Sequence, residues 1–145
     1  MLDSSFGNWL SGFVDGEGCF GIYPAKSGHS TAIVNFSISL RDDDRNTIDM
    51  IQRELGVGRV QHQVRNGTSH PQSKFLITNT KELAEVLIPI LDRYPLRTKK
   101  RQDYILFREA IMMRYETLNK TKNKVYWEKF YKLVERLKDV KNYVY

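Results

Sequence analysis

The sequence has little cysteine, no long apolar run and no strong excess of one charge. One of its 145 residues is a cysteine, and because Cys19 has no partner in the chain, an internal disulfide is excluded. Cys19 and the three scattered histidines also lack the spacing of a zinc site, so a catalytic metal must be a hard cation with oxygen ligands. No apolar run approaches the roughly 20 residues that cross a bilayer, so we expect no membrane partner.

The charge that is present is a modest basic excess, with 23 Lys and Arg against 17 Asp and Glu and a net charge of +6. This balance favours a polyanionic partner. The first ten residues carry an acid and no basic flank, which is unlike a signal peptide. A mature chain without its transit peptide would look the same, so the expected compartment is either an organelle (mitochondrion or chloroplast) or a prokaryotic cytoplasm.

Hydrophobic patterning predicts one α+β domain over residues 1–145. Its core, about 5–115, has the element order α-β-β-α-β-β-α, and a helical extension follows over about 116–145. Four antiparallel strands are expected, with the helices packed on one face of the sheet. The strands are predicted at 19–23, 31–41, 59–65 and 74–78. In the helix after Asn79, we expect Pro89 to introduce a kink or to end the helix.

The first helix is predicted over residues 5–15, and its apolar stripe consists of Trp9, Leu10, Phe13 and Val14. The GEG at 16–18 is expected to end this helix, because glycine tolerates the φ > 0 conformation found at many helix ends. On this prediction the acid of the GEG lies immediately beyond the helix.

Small residues and an acid are combined at this helix end. Gly12 and Gly16 lie four residues apart on another side of the helix, where the missing side chains let a second helix approach closely. Two such helices, packed in parallel about a twofold axis, would bring two Glu17 carboxylates together beside the negative ends of both helix dipoles. Divalent cations would relieve this repulsion and hold scissile phosphates, which is the chemistry of phosphodiester hydrolysis.

Residues 10–18, LSGFVDGEG, closely resemble the LAGLIDADG signature of homing endonucleases. Identical letters stand at Leu10, Gly12, Asp15 and Gly18, and conservative replacements stand at Phe13, Val14 and Glu17. The element order, the GVG at 56–58 and the PLRTKK at 95–100 resemble the single-motif branch of that family, over about residues 6–115. The resemblance implies a homodimeric endonuclease of intron homing that cuts double-stranded DNA at a long near-palindromic site and leaves short 3′ overhangs.

The resemblance also implies roles for residues at the helix end. Glu17 is expected to be catalytic and to bind the metal, with Gly16 beside it in the metal site. Mg²⁺ is the implied cofactor; Mn²⁺ is expected to substitute for it, and Ca²⁺ to support binding without cleavage. Asp15 is expected to be structural. The dimer interface is expected to involve Trp9, Gly12, Phe13 and Gly16.

A lysine is implied near the attacking water, and the alignment assigns it to Lys99. Lys100 is one register away, so it is the alternative catalytic lysine and otherwise a DNA contact. A basic run is also typical of a solvated helix start or a general phosphate contact. Where the family often has a polar residue at the end of the second strand, this chain has Leu40, with Ser39 and Arg41 beside it.

The second and third predicted strands have a polar face without acids, which favours a nucleic-acid surface over an ordinary solvated one. Arg, Gln, Asn and Ser suit base edges in the major groove of DNA. The predicted DNA contacts on the strands are Asn35, Ser37, Ser39, Arg41, Arg59, Gln61, Gln63, Arg65 and Lys74. Loop residues expected to extend the contact are Lys26, Ser27, His29 and Asn66.

Two other functions fit the same pattern. One is an RNA-binding maturase that assists intron splicing, and the other is a DNA-binding regulator with an inactive site. Glu17 and Lys99 favour the nuclease. Binding to intron RNA would indicate the maturase, and specific DNA binding without cleavage in magnesium would indicate the regulator.

Overall fold

The computed structural model describes residues 2–24, 32–63 and 70–142. Its first six elements are α1 (Ser4–Glu17), β1 (Gly18–Pro24), β2 (Ala32–Arg41), α2 (Arg45–Leu55), β3 (Arg59–Gln63) and β4 (Gln72–Ile77). A 3-10 turn, Asp42–Asp44, precedes α2. The later helices are α3 (Thr80–Glu82, a π-helical turn Leu83–Leu87, and Ile88–Arg93), α4 (Lys100–Glu116) and α5 (Lys124–Lys141). The predicted element order and the α+β class are confirmed.

The four strands form one antiparallel sheet in the order β1-β2-β4-β3. Successive strand residues point to opposite faces, so every second side chain lies on the same face of the sheet. One face is packed against the helices, and its fully buried side chains include Phe20, Phe36, Ile38, Phe75 and Ile77. The opposite face carries most of the polar side chains of the strands. None of the helices in the described ranges is both long and apolar enough to span a bilayer.

The end of α1 differs from the prediction. The helix does not stop at residue 15 but includes Glu17, and Gly18 has φ −72° and ψ 150°, which is extended backbone rather than φ > 0. Gly18 is needed for space instead. A Cβ at this position would lie 2.7 Å from Cγ1 of Val14 and 2.8 Å from the Val14 carbonyl oxygen. The chain therefore passes from α1 into β1 without a turn, and Glu17 is the last helical residue.

The predicted apolar stripe of α1 is buried along most of its width but not at Trp9. Leu10 and Val14 are 0% exposed and pack into the core, whereas Trp9 is 40% exposed and stacks on the half-buried Phe13 with ring centroids 4.9 Å apart. At about 100° for each residue, the four side chains cover an arc of about 140° around the axis, with Val14 and Leu10 in the core, Phe13 against it and Trp9 at the outer edge. One face of α1 is in the core and the other points outward.

Pro89 does not end its helix, contrary to one of the two predicted outcomes. It is the second residue of the α-helical segment Ile88–Arg93, which directly follows the π-helical turn Leu83–Leu87. Proline is tolerated in the first turn of an α-helical segment, where a missing N–H breaks no hydrogen bond of that segment. The change of helix type therefore accommodates the proline.

Two substitutions on β2 test which face of the sheet is the core. Phe36→Ala removes a fully buried ring and should lower the free energy of unfolding by about 3–5 kcal/mol. Ile33→Ala, on the opposite face where the side chain is 55% exposed, should lower it by less than about 1 kcal/mol. Urea denaturation followed by circular dichroism measures both, and equal losses would contradict the assignment of faces.

Candidate functional site

Glu17 is an exposed carboxylate at the C-terminal end of α1. Within the described ranges, no hydrogen bond or ion pair involves its side chain. The helix dipole places partial negative charge at this end, so the carboxylate lies in a region that attracts cations. Glu17 is followed directly by β1, which connects this acid to the edge of the sheet.

Asp15 ties the end of α1 to the segment before α4. Its carboxylate accepts hydrogen bonds from the main-chain N–H groups of Arg97, at 2.9 Å, and Thr98, at 3.1 Å, and from the Thr98 hydroxyl at 2.6 Å. Burial tends to raise the pKa of Asp15, but these hydrogen bonds and the charge of Lys100 outweigh it, and the pKa lies below its ordinary value. The ionised carboxylate therefore acts as a structural link.

This link brings two lysines to the end of α1. Lys100 is half-buried, and its Nζ donates a hydrogen bond to the Val14 carbonyl oxygen at 3.3 Å. Such a bond suits a cation at a helix C-terminus. Lys99 is exposed and lies at the start of α4. The two lysines that the sequence could not separate therefore differ in their surroundings.

A third lysine at the same end was missed by the sequence analysis. Lys141, the last residue of α5, donates a hydrogen bond to the Phe20 carbonyl oxygen on β1. Burial raises the pKa of Asp103 on α4, although Lys141, Lys100 and Lys99 lower it in part. No local sequence pattern indicates the contact between Lys141 and β1, because it depends on how α5 folds back across α4.

The end of α1 presents oxygen donors of the kind that a hard cation needs. In the part of the chain that the structure describes, no three or more His, Cys, Asp and Glu side chains are grouped as metal ligands. Glu17 and the adjacent main chain at Gly16 offer oxygen donors of the type that Mg²⁺ prefers. The donor type at the end of α1 therefore fits a hard cation.

The outward face of the sheet brings together most of the predicted DNA contacts. The cross-strand register aligns Ser39, Lys74 and Gln61 in one row, with Arg41, Gln72 and Gln63 in the next. Another row contains Ser37 and Arg59 together with Cys19 and Leu76. Asn35 lies opposite Gly21. Among the strand residues that the structure describes, this face has no acid.

Some predicted contacts already have partners within the chain. Arg41 forms an ion pair with Asp43 at 2.8 Å, and Arg59 donates a hydrogen bond to the Thr78 hydroxyl at 3.0 Å. Ser37 is only 7% exposed, although it belongs to this face. Leu40 belongs to the opposite face and packs against the core.

The structure also adds residues that the sequence analysis did not assign to the outward face. They are Cys19, Tyr23 and Gln72. Ile33 also belongs to this face, as the alternation along residues 31–41 predicts. Extending the alternation of the second strand to its neighbours would have found them once the register was known. Five predicted contacts lie outside the described residues, namely Lys26, Ser27, His29, Arg65 and Asn66.

A known protein family matches most of this chain. The model of the LAGLIDADG endonuclease family matches residues 10–111, so the chain belongs to the LAGLIDADG endonuclease family, and the family inferred from the motif is confirmed. Over 111 residues the chain is 32% identical to the probable intron-encoded endonuclease Cox1-I1b of Schizosaccharomyces pombe. This alignment covers 75% of the chain but 28% of that relative.

Solved structures share the fold. The LAGLIDADG meganuclease I-AabMI, bound to uncleaved DNA, is 33% identical with a TM-score of 0.72, covering 88% of this chain and 43% of that one. The I-LtrWI homing endonuclease, bound to target DNA, is 28% identical with a TM-score of 0.72, and the match covers 88% and 42%. The chain therefore spans less than half the length of these proteins.

The hydrogen bonds of Asp15 predict a pH-dependent loss of stability. Asp15→Asn should lower the free energy of unfolding by about 1–2 kcal/mol at pH 7, because hydrogen bonds to a charged acceptor are replaced by weaker ones. Since the folded pKa is lowered, this contribution is present above the ordinary pKa of about 3.9 and is lost as the pH falls below it.

Denaturation of both proteins between pH 7 and pH 3 measures this difference. The difference in the free energy of unfolding between wild type and Asp15→Asn should become smaller as the pH falls. A difference in the free energy of unfolding that stays constant down to pH 3 would contradict the role of the ionised carboxylate.

Proposed function

We propose that this chain is one half of a site-specific endonuclease that hydrolyses phosphodiester bonds of double-stranded DNA as a homodimer, at a long near-palindromic site. The observation that carries the proposal is the exposed Glu17 directly before a sheet whose outward face has cations and amides but no acid in its described strands. Such a face fits a polyanion, and its side chains suit base edges. Family membership supports the same function.

The outward face of α1 supports a dimer. The exposed Trp9 stacks on the half-buried Phe13, and a Cβ added at Gly12 or Gly16 meets nothing within 4 Å. These four residues lie at positions i, i+3, i+4 and i+7, which share one helix face. A second α1 packed there would cover the rings, and the glycines would permit close backbone contact. Two copies together also approach the length of the single DNA-bound meganuclease I-AabMI, of which one copy covers 43%.

In this dimer the two Glu17 carboxylates, with the main chain at Gly16, would hold the divalent cations. The family is in general divalent-metal dependent. We expect Mg²⁺ as the cofactor, Mn²⁺ as a substitute, and Ca²⁺ to support binding without cleavage. A bound cation of this kind supplies charge neutralisation at the phosphate and lowers the pKa of the attacking water.

The chain's own side chains then orient the substrate. Lys99 is exposed at the start of α4, where its ammonium group stabilises the charge that develops on the phosphate oxygens. Lys100, bonded to the Val14 carbonyl oxygen, contributes positive charge beside the DNA from a fixed position. Asp15 touches no substrate in this scheme; it keeps α4 and both lysines in register with Glu17.

Replacing Glu17 tests the catalytic assignment. The purified chain is incubated with a randomised palindromic duplex library, in magnesium and in calcium. We expect cleavage at one preferred site in magnesium only. Glu17→Gln should lower the cleavage rate by more than about a hundredfold, since loss of an outer-sphere group alone costs 10–100-fold, while binding in calcium is retained.

The matched control for this experiment is Glu54→Gln, an exposed glutamate on α2, which should cut like wild type. Binding without cleavage by the unmodified chain in magnesium would contradict the proposal and favour a regulator. Preferential binding of intron RNA without DNA cleavage would favour a maturase.

Replacing Trp9 tests the dimer. Trp9→Glu places a charge on the outward face of α1 and should weaken dimerisation by at least about tenfold, because buried tryptophans often dominate interface energies. Val125→Glu changes a side chain that is 70% exposed on α5 and should leave the dimer intact. Sedimentation equilibrium measures both, and the same mass for the two variants would contradict this interface.

A further inference from the structure

The outward face of the sheet changes chemical character along the strands. At the end where β2 leads into the 3-10 turn, it is polar and basic, with Arg41, Gln72 and Gln63 in one row. At the opposite end, Tyr23 on β1 and Ile33 on β2 are cross-strand partners. Their side chains are 50% and 55% exposed, so this end of the face presents an apolar pair.

A single amide lies next to this apolar pair. Asn35 follows Ile33 on the same face and lies opposite Gly21. A Cβ at Gly21 would come within 2.6 Å of the Tyr23 ring and 2.7 Å of Oδ1 of Asn35, so both side chains lean over the glycine. Tyr23, Ile33 and Asn35 therefore form one continuous patch, and we call it the hairpin-end patch.

We infer that the hairpin-end patch recognises A·T base pairs in the major groove, and this inference rests on the proposed function. The thymine methyl group is the only apolar group that a base edge presents there, and it fits against Ile33 and the Tyr23 ring. The Asn35 amide matches the paired N7 acceptor and N6 donor of adenine. The patch thus joins a methyl contact to an amide contact on one small surface.

Neither side chain is in the core, so the pair contributes to stability only as a cross-strand contact on the exposed face. A protein partner fits less well than DNA. Two apolar side chains form a patch much smaller than the surface that a stable protein interface buries, about 800 Å² on each partner. The rest of the face, over its described strands, has Arg41, Arg59 and Lys74 and no acid, which complements DNA. An apolar pair on such a face suits the one apolar group in the groove.

The position of the patch gives an expected distance from the cut. From Glu17 to Tyr23 the chain runs along β1, and six residues of strand span at most roughly 20 Å. At 3.4 Å for each base pair, that is about six base-pair steps. We therefore expect an A·T preference about six base pairs from the cleaved phosphate in each half-site.

The test replaces thymine by uracil, which removes only the methyl group. A preferred duplex is first selected from a randomised library, and each of its thymines is then replaced in turn. For wild type, one or two replacements at the expected distance should weaken binding in calcium roughly fourfold, the value of one buried methyl group. For Ile33→Ser, the thymine and uracil duplexes should bind equally.

Val125→Ser, an exposed apolar residue replaced on α5, is the matched control and should discriminate like wild type. Thermal unfolding of each variant checks that it is folded, and Tyr23→Ser gives a second measurement on the same patch. Discrimination that survives unchanged in both Ile33→Ser and Tyr23→Ser would overturn the inference. So would a selected site without A·T pairs at that distance. In both cases cleavage of the selected site would leave the proposed function standing, whereas a library that yields no preferred duplex would overturn both.

Discussion

The hydrogen bonds that Asp15 accepts from Arg97 and Thr98 set the geometry on which the site depends. Asp15 and Glu17 are two residues apart on α1, but their carboxylates do different things. One is held within the chain by three donors, and the other is exposed at the helix end. Because α4 begins directly after the segment that Asp15 holds, Lys99 and Lys100 reach the same helix end as Glu17. The site is therefore built by one link between distant parts of the chain.

One side of α1 packs into the core and the other is exposed. Leu10 and Val14 are in the core, so the helix cannot rotate without exposing them. That fixes the direction of Trp9, Gly12, Phe13 and Gly16 on the other face. The close approach of Gly18 to Val14 leads the chain straight into β1, so the acid, the sheet edge and the outward helix face are connected without a loop.

The sequence predicted the features that depend on local periodicity and missed those that depend on packing. Alternation along residues 31–41 identified Asn35, Ser39 and Arg41 on one face, because strand geometry enforces a period of two. The contact of Lys141 with β1 had no such signal, since it arises from the path of α5 over α4. The prediction for Gly18 was wrong for the same reason. A glycine is required there because a Cβ would clash with Val14, and the sequence alone does not reveal that contact.

Mixing wild-type and Glu17→Gln chains tests most directly the claim that each chain contributes one catalytic carboxylate. The two forms are mixed in equal amounts under subunit exchange, and double-strand cleavage of the preferred duplex is measured in magnesium. If both carboxylates are needed, the rate of double-strand cleavage should fall to about one quarter of the wild-type rate, which is the square of the wild-type fraction. The mixed dimers should nick one strand at most. A fall to about one half would mean that single chains cut both strands, and it would contradict the account.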